Sequence, residues 1–294
     1  MSILTRRRFL AVSAAALAAP AYAEPVRWQG HALGAEISLS LYAPEALTKT
    51  AIQVTRSRLR QVEQLFSLYD STSVLSRLNR TGRLSSAPGL FQVLCNQCSR
   101  VHRATEGVFD PTIQPLWQAL AAGRYSAPAR ALIGWTRAGV GPDIHLAPGQ
   151  QITFNGIAQG FATDLIRADL ARIGLARALI NIGEFAAIGG PFTLGLADPA
   201  QGLFATRRIT ERAIATSSPG AMLLSGASHI QHPRNDRSAR WSTVSVEADK
   251  AAIADAASTA FAVMTRPEIE QAQERLSPGI RVTLLSHNGD LLTL

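Results

Sequence analysis

Lysine is almost missing from this chain. Lys49 and Lys250 are the only two among 294 residues, so the formal net charge of +8 is carried almost wholly by arginine. Arginine suits bidentate contact with phosphate or carboxylate, but here it is scattered along the sequence, which weighs against a nucleic-acid surface. Cysteine is nearly as scarce. Cys95 and Cys98, in "LCNQCSR", are the only two. That excludes a disulfide framework, and with no second pair it excludes a four-cysteine zinc site. The surrounding "APGLFQVLCNQCSRVHRATEG" reads as an amphipathic helix with Leu90, Leu94 and Val101 on its inner face, which makes the pair helix residues, free or bridged. Charged residues are few at 17 %, against 47 % hydrophobic, a balance that excludes disorder and supports a packed core. No apolar run reaches the length of a membrane span, and no internal repeat or low-complexity tract is present.

Residues 1–23, "MSILTRRRFLAVSAAALAAPAYA", have an arginine-rich start, a short apolar stretch and a small-x-small end at Ala21–Ala23. "TRRRFL" matches the twin-arginine export pattern, the address of proteins exported already folded; an ordinary secretory signal would export the chain equally. The expectation is a periplasmic protein with no lipid or membrane anchor. Residues 24–294 would form one domain, which suits a chain of this length.

Residues 27–43 alternate around Gly34 as two short strands or a bent one. "PEALTKTAIQVTRSRLRQVEQLFSLYD" predicts a helix opened by Pro44 and Glu45, with Ile52, Leu59, Val62, Leu65 and Phe66 as its stripe. A polar loop with Ser71 and Ser73 follows, then the cysteine helix, then loop and strand to Phe154. "NGIAQGFATDLIRADLARIG" begins with glycines and continues as a helix to Gly174, and "ARALINIG" reads as a buried strand. Short strands fill 190–250, before an alanine-rich helix and a final strand. Strands and helices mix without regular βαβ repetition, so the class is α+β, a mixed layered sheet with packed helices.

The alanine-rich "AAIADAASTAFAV" (251–263) places Asp255, Ser258 and Thr259 on one helix face. One carboxylate with hydroxyls is a hard-oxygen set suited to Mg²⁺, whose other ligands come from water and phosphates. The other reading is local: Asp255 caps the helix start, while Ser258 and Thr259 bond back to carbonyls. Gly156 and Gly160 bracket a turn into a helix, where backbone amides favour phosphate, or they serve only as a turn. "EGVFDPTIQPLW" puts Phe109, Asp110 and Thr112 in a stiff loop, fit to hold a flat ring or to plug a core. "ATSSPG" is a hydroxyl-rich turn, and "SHIQHP" offers His229 and His232 as proton acceptors.

Taken in order, "LGAEISL", "FSLYDSTSVLSRLN", "GVFDPT", "NGIAQGFATD", "INIGEFAAIGG", "LADP", "AIATSS", "SHIQHPR" and "ADAASTAF" resemble the ApbE family, the FAD:protein FMN transferases, over nearly the whole chain after the signal. The "NGIAQG" and "NIGE" wording, with the twin-arginine start, is similar to the NosX branch, which serves maturation of the flavoprotein that supports nitrous oxide reductase. The resemblance implies FAD as substrate, Mg²⁺ at the pyrophosphate, and a threonine or serine of a partner flavoprotein as acceptor, NosR-like and membrane-bound in that branch. It implies metal ligands at Asp255, Thr259 and the Gly156 carbonyl, with Ser258 where some members have a second acid. It implies flavin or FAD contacts at Leu33, Tyr69, Val108, Phe109, Asp110, Thr153, Gln159, Thr216, Ser217, Ile230 and Gln231, and His229 as the base. The family usually has aspartate at the position of Thr153, lysine or glutamate at Gln159, aspartate at His232 and glycine at Ser218; these differences remove charges around the cofactor. A non-catalytic FAD carrier and an FAD pyrophosphatase are the alternative readings of the same residues.

Overall fold

The computed structural model describes residues 24–277 and 279–294; the signal segment expected over 1–23 lies outside them. The chain opens with a hairpin, β1 (Val26–Ala32) and β2 (Ala35–Leu41), turned by Leu33 and Gly34 in left-handed conformation. Helix α1 (Glu45–Phe66) follows as expected from its stripe, burying Leu59, Val62, Leu65 and Phe66, while Ile52 is only half-buried. The loop read around Ser71 and Ser73 continues into a short helix, α2 (Val74–Thr81), which Ser73 caps by accepting the Ser76 N–H at 3.0 Å. Next come β3 (Arg83–Leu84), the cysteine helix α3 (Gly89–Ala104), α4 (Gln114–Ala121), α5 (Ala127–Arg130) and β4 (Ile144–His145). Cys95 and Cys98 are free thiols wholly buried on the inner face of α3, not bridged. Burial pushes the Cys95 thiol up to about 12 and raises that of Cys98 as well.

Helix α6 (Ala158–Arg172) leads to β5 (Ala178–Asn181) and β6 (Phe185–Ile188), then to the longer pair β7 (Phe192–Asp198) and β8 (Gly202–Ile209). Strand β9 (Ala213–Ser217), the small ribbon β10 (Leu223–Leu224) and β11 (Ala227–Ser228), and β12 (Thr243–Ala248) precede the alanine-rich α7 (Ala251–Phe261). A further helix, α8 (Arg266–Leu276), separates α7 from β13 (Arg281–Leu285) and β14 (Leu291–Thr293).

Eight strands form one sheet in the order β1-β2-β5-β6-β9-β12-β13-β14, and every neighbouring pair is antiparallel. The α+β class therefore holds, with a layered sheet that is antiparallel throughout. Alternation along the strands sends side chains to two different layers. Ile37, Leu39, Ile180, Val244 and Val246 join the helices in the main core, where Phe66 packs edge-on against Phe154 and Phe161 at 5.5 and 5.9 Å. On the opposite face, Leu179, Ala187 and Ile214 meet Phe192, Leu194 and Leu196 of the separate β7–β8 ribbon. The main sheet is thus covered on both sides, by helices and by a ribbon. Among the described residues, no helix is long and apolar enough to cross a membrane.

Candidate functional site

The α6–α7 contact explains the composition of both helices. Ten of the eleven residues of α7 are buried, Thr259 alone being half-buried, and six are alanine, so a neighbouring backbone can approach closely. At Gly160 the approach is extreme: a Cβ there would fall 2.3 Å from the Ala251 carbonyl oxygen. The helices are also tied at their ends. The carboxylate of Asp164, on α6, accepts the Ala251 and Ala252 N–H groups at 2.8 and 3.0 Å, capping α7 from another element.

Asp255 is accordingly not the cap of its own helix. It lies one turn inside α7, 4 % exposed, and accepts the Gly160 N–H at 3.0 Å. Thr259, one turn further on, shares its face, and the Gly156 turn abuts it: a Cβ at Gly156 would sit 3.0 Å from Thr259 Oγ1. Asp255, Thr259 and Gly156 therefore converge at one end of a single cleft. Ser258 does not line that cleft. It is wholly buried behind it, with its hydroxyl donating to the Asp255 carbonyl at 3.0 Å and paired with Ser217 Oγ at 2.8 Å. The local back-bonding reading holds for Ser258, whereas Ser217, which lines the cleft and comes within 3.4 Å of Thr259 Oγ1, is the serine beside the convergence point.

The electrostatics of this end are those of two buried carboxyl groups, each disfavoured in its charged form. Burial pushes the Asp255 carboxyl up to about 7, with the Gly160 N–H pulling the other way and the charge of Asp164 adding to the rise. Glu184 faces the same cleft from the β5–β6 turn, accepts the Thr216 N–H at 3.1 Å, and is held well above the usual carboxylate range by burial and then by Asp255. No arginine or lysine among the described residues pairs with Asp255 or Glu184. Among the described residues, no group of three His, Cys, Asp or Glu side chains is placed to hold a metal. What the chain offers instead is a buried carboxylate, a hydroxyl and a glycine carbonyl beside a second carboxylate. That donor set fits a hard divalent cation completing its shell from phosphate and water.

The rest of the cleft is broader and more apolar. Val108, Phe109 and Asp110 line it together with Trp117, Leu196 and Met222, and Thr153, Gln159, Thr216, Ile230 and Gln231 face it as well. The Asp110 carboxylate, however, is occupied in holding its own loops. It accepts from Thr112 N and Oγ1 at 2.8 and 2.6 Å and from Trp135 N at 3.0 Å, so its side chain secures the wall it belongs to. Leu33 and Tyr69 do not line the cleft. Leu33 turns the first hairpin, its N–H bonded to Glu63, and Tyr69 stands 83 % exposed before α2.

His229 follows β11 and lines the cleft half-buried. Its Nδ1 lies 3.1 Å from the Met222 carbonyl, which can only accept, so the proton sits on Nδ1 and Nε2 is the acceptor nitrogen. His232, the other candidate, is buried behind the loop. Burial and the arginines around it lower its basicity to about 4, and its Nδ1 accepts the Arg234 N–H. Ser218 also lines the cleft, and its hydroxyl pairs with Thr243, which donates to the buried Asp198 carboxylate at 2.6 Å.

Sequence reasoning assigned no role to Glu184 or Trp117. For Glu184 a signal existed: "ALINIGEFAAI" is apolar on both sides of a single acid, and a lone carboxylate between two buried strands needs a reason. Trp117 gave none, because its position over the cleft depends on how α4 packs.

The ApbE family model matches residues 33–284. No curated protein sequence matches the chain closely enough to count as a relative. Among solved structures, the apo flavinyl transferase ApbE of Pseudomonas stutzeri is 22 % identical with a TM-score of 0.80, over 92 % of this chain and 94 % of that one. The flavin transferase ApbE from Vibrio cholerae gives 22 % and 0.77 over 92 % and 96 %, and the ApbE protein of Thermotoga maritima 20 % and 0.79 over 92 % and 96 %. At these identities the structures speak to the fold, while the family match spans most of the sequence itself. The chain belongs to the ApbE family.

Proposed function

We propose that this chain is a Mg²⁺-dependent FAD:protein FMN transferase that acts in the periplasm on a threonine or serine of a partner flavoprotein. The observation that carries the reading is the meeting of Asp255, Thr259 and Gly156 in a cleft that Phe109, Trp117 and His229 also line. Phosphoryl transfer asks a protein for alignment and charge neutralisation more than for covalent help; the cleft would supply the first and a cation held by it the second. When bound, a divalent cation would neutralise the diphosphate of FAD. Asp255, Thr259 Oγ1 and the Gly156 carbonyl would hold that cation, and the Gly160 N–H fixes the Asp255 carboxylate in place.

Phe109, Trp117 and Leu196 suit a flat, partly apolar ring and exclude water around it. His229 Nε2 is oriented by the Met222 carbonyl to take the proton of the incoming hydroxyl. A bond forms between that oxygen and the phosphorus on the FMN side. The bond from that phosphorus to the bridging oxygen breaks, its electron pair leaves with AMP, and FMN remains as a phosphoester. The twin-arginine start supports export, and the "NGIAQG" and "NIGE" wording supports a membrane flavoprotein of nitrous oxide reductase maturation as the target.

Incubating the protein with FAD, MgCl₂ and that flavoprotein, followed by mass spectrometry of the target, is the test. Covalent FMN on the target with release of AMP is expected. Free FMN and AMP with unmodified target would indicate hydrolysis instead, and unchanged FAD would indicate a carrier.

A further inference from the structure

Ser218, Thr243 and Asp198 form a chain of hydrogen bonds that runs inward from one wall of the cleft and has a fixed direction. Asp198 ends β7, Thr243 opens β12 and Ser218 follows β9, and all three are buried. Of the three, only Ser218 lines the cleft. Asp198 Oδ1 accepts the Ala200 and Gln201 N–H groups at 2.8 and 2.9 Å, and Oδ2 accepts the Ser242 and Thr243 hydroxyls at 2.6 Å each. Burial favours the neutral acid, but these bonds outweigh it and hold the carboxyl below the ordinary carboxylate range. Asp198 is therefore a charged group that only accepts.

The direction of the rest follows from the protons available. A threonine hydroxyl has a single proton, and Thr243 gives it to Asp198. Towards Ser218 Oγ, 2.6 Å away, Thr243 can then only accept, so Ser218 donates. The Ser218 oxygen keeps lone pairs and has no proton to offer the cleft. Such a group repels a phosphate oxygen and favours a ligand that brings its own proton.

Its place along the cleft wall selects the ligand group. Before it, Ser217 comes within 3.4 Å of Thr259 Oγ1, at the place assigned to the cation. After it, the turn over 218–221, closed by the Ala221 N–H to the Ser218 carbonyl at 2.9 Å, leads to Met222, whose carbonyl faces His229 Nδ1. Ser228, next to His229, ties that turn down by donating to the Pro219 carbonyl at 3.1 Å. Along this segment Ser218 thus stands between the cation and the base. In an in-line displacement the attacking hydroxyl and the departing AMP are on opposite sides of the phosphorus, so the side of the base is away from the adenosine. The attacking hydroxyl spends its own proton on His229. What remains beside that phosphorus is the ribityl chain of the flavin, which carries hydroxyl donors.

We propose that Ser218 is a specificity-determining residue that accepts a hydrogen bond from a ribityl hydroxyl of FAD, with Thr243 and Asp198 as positioning residues that keep its proton turned inward. The proposal rests on the transfer activity proposed above and names a contact within its site.

The test reads affinity by quenching of flavin fluorescence, in MgCl₂ with no acceptor protein present. FAD is compared with analogues that each lack one ribityl hydroxyl, and with FAD lacking the 2′ hydroxyl of its adenosine. With the wild-type protein, one ribityl analogue is expected to bind about five- to tenfold more weakly than FAD, the scale of one hydrogen bond to a buried acceptor. Ser218→Ala should bind FAD more weakly by the same factor and should no longer tell it from that analogue, since the two changes remove one contact. Ser218→Gly makes the same comparison if the alanine variant does not fold. Thr243→Val, which frees the Ser218 hydroxyl to turn, should discriminate less than the wild type. A merely structural role would weaken all ligands alike and leave the discrimination intact, which would overturn the contact. So would equal binding of FAD and every ribityl analogue by the wild type, or a Ser218→Ala effect confined to the adenosine analogue. Unaltered discrimination in Thr243→Val would overturn the part given to Thr243 and Asp198. Each of these leaves the transfer reading standing, whereas failure of the wild type to bind FAD would bring down that reading and the contact with it.

Discussion

Replacing Asp255 with asparagine separates the cost of this carboxylate from its use. The side chain is 4 % exposed, and burial lifts it from its ordinary 3.8 to about 7. Between those values the folded protein binds a proton that the unfolded chain has lost, so stability falls as pH rises through this window. At ~1.4 kcal/mol per tenfold in proton affinity, the ionised carboxylate costs the metal-free fold about 4 kcal/mol at pH 8. Asparagine keeps an oxygen to accept the Gly160 N–H and removes the charge. Asp255→Asn should therefore be more stable than the wild type at pH 8 without metal. For a domain of this size the gain corresponds to a Tm rise on the order of 10 °C. The gap should narrow towards pH 5 and close below about pH 4, where the unfolded carboxyl is protonated too. Adding MgCl₂ should raise the Tm of the wild type and leave that of the variant where it was, because a cation repays the charge only where the charge exists. Differential scanning calorimetry across pH, with and without MgCl₂, reads all of this. A variant less stable than the wild type at pH 8, or one stabilised by Mg²⁺ as much as the wild type, would refute the reasoning.

Three other perturbations are informative. His229→Ala should lower kcat for flavinylation by about 10²- to 10⁴-fold while FAD binding, measured by flavin fluorescence, is kept. Gly160→Ala should destabilise the fold by about 3 kcal/mol or more, seen as a lower urea midpoint, because its methyl would meet the Ala251 backbone at 2.3 Å with no flexible side chain to give way. Cys95 and Cys98, buried and with raised thiol basicity, should not react with a thiol reagent at pH 8 until denaturant is added; rapid labelling of the native protein would contradict their placement.

Much of the fold could be read directly because its elements follow clean periods. The first hairpin, α1, α3, α6 and α7 stand where alternation and helical stripes predict them. Helix α2 was hidden because it buries only Leu75 and Leu78, too short a stripe to stand out from a polar loop. Helix α8 was missed for a different reason: its signal is a cap rather than a stripe, Thr265 and Glu268 bonding reciprocally ahead of a polar segment. At the site, helical spacing placed Asp255 and Thr259 together. It could not tell that Ser258, on the neighbouring position, turns inward to Ser217. That depends on where β9 lies, and the pairing of β9 with β12 and β6 is a long-range fact. The same holds for Glu184, whose neighbour Asp255 is far away in sequence. Leu33 and Tyr69 stand in loops outside the lining of the cleft, and neither strand nor helix spacing fixes the path of such loops.

The bond from Asp164 to the first amides of α7 has a consequence for how such a protein can change. It rivets together two helices that the chain reaches some eighty residues apart, so the placement of Asp255 against the start of α6 is set by that joint. Of the chain between them, Glu184, Ser217 and His229 reach back to the cleft, whereas strand β8 and its turn with β7 do not, so that excursion can change length or decoration without disturbing the chemistry. Diversity of targets, on this scaffold, would be written in the excursion and not in the rivet.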